Sequence, residues 1–157
     1  IIAVDGKVMR GAWTDENDKV TLFSAMLHRE AVTIAQVRVP DGTNEITQAD
    51  TLLAAARIPE GESVLVTLDA AHTQRETAGY VGGKPGWDYL MTVKGNQPSL
   101  QRAVFEEVLP LLREAPHHVM EEHRRGQIKR WSCWITSAEG IDFPHASQAA
   151  IIRHNPP

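Results

Sequence analysis

Val64-Leu65-Val66-Thr67-Leu68 is an unbroken run of apolar or β-branched residues that ends on an acid, Asp69. Such a run reads as a strand buried on both faces, and strands of that kind belong inside α/β sheets. The small pair Ala70-Ala71 then permits a close backbone turn. His72-Thr73-Gln74 opens a helical pattern, with Thr73 as a cap and Glu76 answering three residues on. Asp69 is therefore expected at the carboxyl end of a central strand, where open α/β sheets present their ligands. A turn residue is the plainer use of an aspartate there. A second acid in a like setting, Asp5 within Ile1-Ile2-Ala3-Val4-Asp5-Gly6-Lys7, favours a joint use. Two carboxylates on two core strands can share a cation.

The chain of 157 residues is expected to form one domain with a sizeable core. Its 42 % apolar and 23 % charged residues match an ordinary soluble globular protein. No apolar stretch nears the roughly 18 residues of a membrane span and no signal peptide is visible, so no membrane partner is expected. A lone cysteine, Cys133, excludes an internal disulfide and a cysteine-based zinc cluster, and suits a reducing cytoplasm. The chain starts inside a strand pattern without an initiator methionine and stops at Asn155-Pro156-Pro157, as a piece of a longer protein would. A net charge of −4 argues against a free-standing DNA-binding domain. Charge is uneven: His123-Arg124-Arg125-Gly126-Gln127-Ile128-Lys129-Arg130 is basic, whereas Glu106-Glu107 and Glu121-Glu122 are acidic.

Along the chain, a first strand is expected from Ile2 to about Met9, with a polar turn region over Gly11–Lys19. Strands near Val20–Leu27 and Val32–Val39 follow, joined by a short His28–Ala31 loop. Asn44–Arg57 reads as a helix with Ile46, Ala49, Leu53 and Ala56 on one face. After the Asp69 strand come a helix of about Thr73–Tyr80 stopped by Gly82-Gly83 and a strand over Asp88–Lys94. A helix then begins at Pro98. Val119–Glu122 and Ile128–Thr136 look extended, and Phe143-Pro144 with Ala149–Ile152 suggests another edge element. Three antiparallel strands followed by alternating helices and strands make a mixed sheet of ribonuclease H-like type.

Four groups of residues resemble one family when taken in order: Val4-Asp5-Gly6-Lys7 with Arg10-Gly11; Thr43-Asn44-Glu45-Ile46-Thr47; Leu68-Asp69-Ala70 with Gln74; and Val93-Lys94-Gly95-Asn96-Gln97. They look like the DDE transposases of bacterial insertion sequences that include the H-repeat-associated proteins, and the likeness covers nearly the whole chain. Singly these motifs are weak, but their order and spacing are specific. The resemblance implies a metal-dependent core that cuts and joins DNA at transposon ends and target, self-associating in a transposition complex. It implies Asp5 and Asp69 as the first two catalytic carboxylates and as ligands of Mg2+ or Mn2+. At the third position the family carries a glutamate, in a His-Gly-Arg-Ile-Glu-type motif. Here the matching stretch is Arg125-Gly126-Gln127-Ile128-Lys129-Arg130, with Lys129 in the glutamate's place.

Magnesium takes hard oxygen ligands, and paired metals stabilise both the attacking and the leaving oxygen of a phosphodiester. A lysine near two dications opposes their binding. Lys7, Arg10 and Lys94, with Asn96 and Gln97 as hydrogen-bonding partners, are candidates for holding the DNA backbone. Plainer uses exist for each: a solvent-facing strand end for Lys7 and Arg10, a left-handed turn for Asn96. Glu45 fits a helix first turn, and His72 a structural role beside the strand. His117-His118 lacks further ligands at a zinc-like spacing. For Trp13, Trp87, Trp131 and Trp134, packing is expected before base stacking. Two other readings stay open, an inactive remnant that keeps fold and DNA affinity, and a phosphoesterase acting on something other than DNA.

Overall fold

The Val64–Leu68 run forms strand β4, with Val64, Val66 and Leu68 buried on one face. Leu65 and Thr67 on the other face are only half-buried, so the strand is fully covered on one side rather than both. The computed structural model describes residues 1–13, 19–40, 43, 45–124 and 127–155. The chain divides into two compact units, Ile1–Asn96 and Gln97–Pro157.

In the first unit, β1 (Ile2–Trp13) runs antiparallel to β2 (Lys19–Leu27), and β2 antiparallel to β3 (Val32–Arg38). Beside β1 on its other edge lies β4, parallel to it, followed by parallel β5 (Trp87–Met91). The sheet therefore has the order β3-β2-β1-β4-β5 and mixed direction. The expected sequence of three antiparallel strands and then alternating helices and strands is what this unit shows. Helices α1 (Ala49–Ala55) and α2 (Arg75–Gly82) pack on one face. Ile2, Val4, Phe23, Ala25, Leu52, Leu53, Val66 and Val81 form the core between them. Each such large side chain contributes roughly 1.5–3 kcal/mol by leaving water.

Several element boundaries differ from expectation. Strand β1 continues to Trp13, which pairs with Lys19 after a register shift beyond Val8, so residues 11–13 and Lys19, expected in a turn, belong to strands. Ladder pairing supplies partners for backbone groups that a polar loop would leave to water. The helix expected over 44–57 is a 3-10 turn, Glu45–Gln48, leading into the shorter α1, and Arg57 closes it at a φ of 49°. Leu52, absent from the expected apolar face, is its most buried residue. Strand β5 stops at Met91 rather than Lys94; just past it the Thr92 N–H donates to the Leu68 carbonyl at 3.3 Å and the Thr92 carbonyl accepts from the Thr73 hydroxyl at 2.7 Å.

The second unit holds α3 (Pro98–Val108), a 3-10 turn over Leu109–Arg113, and the antiparallel sheet β6 (His118–Arg124), β7 (Gln127–Ser137) and β8 (Gln148–Asn155). Pro98 sits in the first turn of α3, where its missing N–H costs nothing. Val104 and Val108 of α3 pack with Trp134, Ala138, Ile141 and Ala149. Phe143 and Pro144 lie in the turns before β8 and not in an edge strand. Among the described residues no helix is long and apolar enough to cross a membrane.

Candidate active site

Alternation along β1 sends Ile2 and Val4 into the core and leaves Asp5 exposed on the opposite face. The parallel register pairs Ile2 with Val66 and Ala3 with Thr67, an offset of 64, because 66 − 2 and 67 − 3 agree. Carried two residues on, that offset sets Asp5 level with Asp69, the exposed residue just past Leu68. Adjacent strands lie about 4.8 Å apart, so both acids belong to one small area of the sheet.

A network of hydrogen bonds holds the turn that carries Asp69. Its Oδ1 accepts from the backbone N–H groups of Ala71 at 3.0 Å and His72 at 3.3 Å. The plain turn role foreseen for this aspartate is thus real, and one carboxylate oxygen performs it. The Thr73 hydroxyl lies 3.2 Å from the Asp69 carbonyl and 2.7 Å from that of Thr92. Its proton is directed at carbonyls, so Thr73 is not the helix cap that its position suggested. Gln74 is the N-cap of α2, in extended conformation and with no side-chain cap bond. From the loop after β5, Asn96 Nδ2 donates to the Ala70 carbonyl at 2.7 Å.

His72 is 1 % exposed and stacks on Phe23, with ring centroids 4.7 Å apart and 12° between planes. Phe23 faces the core, and its register partner Gly6 brings no side chain there. The histidine is a core residue of the face opposite Asp5, a position that fits the structural use expected of it.

The other candidates separate by unit. Lys7 is exposed on the same face of β1 as Asp5, two residues on. Arg10 lies on β1 with its side chain outside the described residues, as are those of Trp13 and Glu45. Arg125 and Gly126 also lie outside them. Lys94 is exposed in the loop after β5. Asn96 has no left-handed backbone; its amide instead ties that loop to the Asp69 turn. Gln97 is the N-cap of α3 and belongs to the second unit. So does Lys129, half-buried on β7 with Glu122 as its register partner on β6. Opposite charges placed that way are mildly stabilising, a structural use for this lysine. Glu121 approaches Arg130 at 3.7 Å. Trp134 is buried and donates from Nε1 to the Glu114 carbonyl at 3.2 Å, whereas Trp131 lies beside His154 with centroids 5.1 Å apart. Lys84 lies over the rings of Tyr80 and Trp87, so Trp87 is a packing residue too.

The donor set suits a hard cation of modest demand. Asp5 makes no side-chain hydrogen bond among the described residues, and Asp69 commits only Oδ1 to the turn. Magnesium keeps several waters and commonly takes one or two carboxylates with substrate phosphates. Among the described residues no group of three His, Cys, Asp or Glu side chains converges as a metal cage. Ser24 and Gln36, which share a sheet row with Asp5, escaped the sequence reading because strand register is needed to place them.

The Transposase DDE domain family matches residues 1–152. The chain is 36 % identical over 113 residues to "Putative transposase YncI" of Escherichia coli (strain K12), covering 71 % of this chain and 44 % of that protein. It is 34 % identical over 151 residues to "H repeat-associated putative transposase YhhI" of the same strain, covering 91 % of this chain and 39 % of that one. The chain therefore spans less than half the length of these relatives. Its backbone also resembles a chain in the cryo-EM structure of the piggyBac transposase synaptic complex with hairpin DNA. There the TM-score is 0.46 at 10 % identity, covering 96 % of this chain and 32 % of that chain. A family match over nearly the full length and relatives at this identity mean that the chain belongs to the DDE transposases, in the bacterial group that includes the H repeat-associated proteins.

Proposed function

We propose that this chain is the catalytic core of an insertion-sequence transposase, cleaving DNA strands and joining them to a target with Mg2+ or Mn2+. In this reading its two units make one ribonuclease H-like catalytic domain, acting in the cytoplasm and within a self-associated transposition complex. The observation that carries the reading is the β1–β4 register, whose offset carried two residues on brings Asp5 of β1 level with Asp69 just past β4, in a mixed sheet ordered β3-β2-β1-β4-β5. Asp5 and Asp69 would hold the metal. When bound, the metal supplies positive charge at the attacking and leaving oxygens of the phosphodiester. The chain's own part is to place the two carboxylates: β1 fixes Asp5, and the Asp69 turn is pinned by Asn96 and Thr73. Lys7, Arg10, Lys94 and Gln97 would contact the DNA backbone, whereas Asn96 would act through the turn it holds.

A second reading is favoured by Lys129 at the family's glutamate position: a copy that keeps fold and DNA affinity without cutting. A calorimetric manganese titration tests the metal site and a supercoiled-plasmid assay tests cutting. Manganese binding and nicking that both vanish in Asp5→Asn and Asp69→Asn support the first reading. Binding of DNA without nicking supports the second. Manganese binding unchanged in both variants would sink the metal assignment.

A further inference from the structure

Strand register places more than Asp5 on the exposed sheet face of the first unit. Asp5 pairs with Ser24, and Ser24 with Gln36, so the three form one row across β1, β2 and β3. The next row on the same face is Lys7, Leu22 and Arg38. The intervening residues Phe23, Ala25 and Val37 face the core, which fixes the side from which these two rows project. Asp5, Lys7, Gln36 and Arg38 are exposed, and Ser24 and Leu22 half-buried.

Gln36 Nε2 donates to Ser24 Oγ at 2.8 Å. That bond uses one amide hydrogen of Gln36 and one lone pair of Ser24, so the second amide hydrogen and the hydroxyl proton stay available as donors. With the Lys7 ammonium and the Arg38 guanidinium, the edge of the face beyond Asp5 presents hydrogen-bond donors of four kinds. Strand spacing makes the row from Asp5 to Gln36 about 10 Å long. Donors and cations in a line suit phosphate oxygens, and a guanidinium can grip one with two bonds. They also offset the repulsion that two aspartates exert on an approaching phosphate.

We propose that Ser24, Gln36 and Arg38, together with Lys7, form a track that holds the sugar-phosphate backbone of a DNA strand. The strand runs from the Asp5–Asp69 pair across β2 toward β3. This rests on the reading that the pair acts on DNA. The contacts go to backbone and not to base edges, so the track is indifferent to sequence.

Fluorescence anisotropy of a labelled duplex of arbitrary sequence, titrated with the whole chain across a salt series, tests the track. Arg38→Ala should lower the slope of log affinity against log salt by about 0.9, one phosphate contact. Gln36→Glu puts a carboxylate on the track and should weaken binding about tenfold or more, the loss of one hydrogen bond to a charged group. Arg29→Ala, in the turn at the far end of β2, should leave the slope unchanged. Both track positions are exposed, and thermal melts of the variants should match the parent. Arg38→Lys should keep the slope if only charge matters there. Parent-like affinity and slope in both Arg38→Ala and Gln36→Glu, or an equal loss in Arg29→Ala, would overturn the track while leaving the transposase reading intact. If the parent chain binds no DNA at any salt, that reading falls and the track with it. If the variants lose affinity for a polyglutamate peptide but not for the duplex, the face serves an acidic protein partner and the DNA track is wrong.

Discussion

The side-chain amide of Asn96 donates to the carbonyl of Ala70 at 2.7 Å, fastening the loop after β5 to the turn that carries Asp69. The bond joins two motifs separated by 26 residues in sequence and holds one carboxylate of the proposed metal pair. Asn96→Ala should cost roughly 0.5–1.5 kcal/mol, the net worth of one such hydrogen bond. It should also weaken manganese binding at Asp5 and Asp69 without removing either ligand. Urea melts and a manganese titration on the same variant check both; an unchanged metal affinity would confine Asn96 to stability.

Asp69 serves the turn through Oδ1, and that use can be separated from its charge. An asparagine keeps a carbonyl oxygen for the Ala71 and His72 N–H groups. Asp69→Asn should therefore melt within about 0.5 kcal/mol of the parent, a small surface effect, and yet lose manganese. Asp69→Ala should lose both, with stability down by about 1 kcal/mol for the vacated N–H groups. Equal stabilities for the two variants would show that the turn does not depend on the side chain.

In the proposed reading, Lys129 takes the place of the family's glutamate. We predict that Lys129→Glu tightens manganese binding and raises the stoichiometry from at most one ion to two. Calorimetric titration of both forms decides this. Indistinguishable curves would mean that Lys129 lies away from the metals and is the β-sheet partner of Glu122 only.

Burial pushes the Tyr89 phenol above its ordinary pKa of 10.0. Below that value the phenol is neutral in both the folded and unfolded chain, and its contribution to stability is complete. As pH rises past about 10 the unfolded chain ionises first, so stability falls until the higher folded value is passed. Tyr89→Phe should flatten this alkaline loss. Urea melts at about pH 9 and about pH 11, either side of the ordinary phenol value, measure it. A drop of equal size in the variant would assign the loss to other groups.

Phe23 carries the His72 ring on the core face, and both are almost wholly buried. Phe23→Ala should cost roughly 3–5 kcal/mol, as truncating a core aromatic does. A cost under about 1 kcal/mol, typical of a surface change, would mean that the stack is not part of the folded core.

Much of this molecule is legible from local pattern. The Val64–Leu68 run determines β4 to the residue, because a short apolar run with an acid and two alanines after it has one economical conformation. The mixed order of strands and helices follows from periodicity in the same way. Asp5 and Asp69 stand out as a candidate pair from the same pattern, since each accompanies an apolar strand run. Boundaries are less legible where long-range bonds override local preference. Thr73 has the type and position of a cap, yet the carbonyl of Thr92, just past β5, claims its hydroxyl. Asn96 has the look of a turn residue or a DNA contact, and the Ala70 carbonyl claims its amide. Only tertiary structure could align Asp5, Ser24 and Gln36, because the row depends on two strand registers that no single segment encodes. A one-residue slip in either would turn Ser24 or Gln36 to the core, and it is the packing of Phe23, Ala25 and Val37 that forbids the slip.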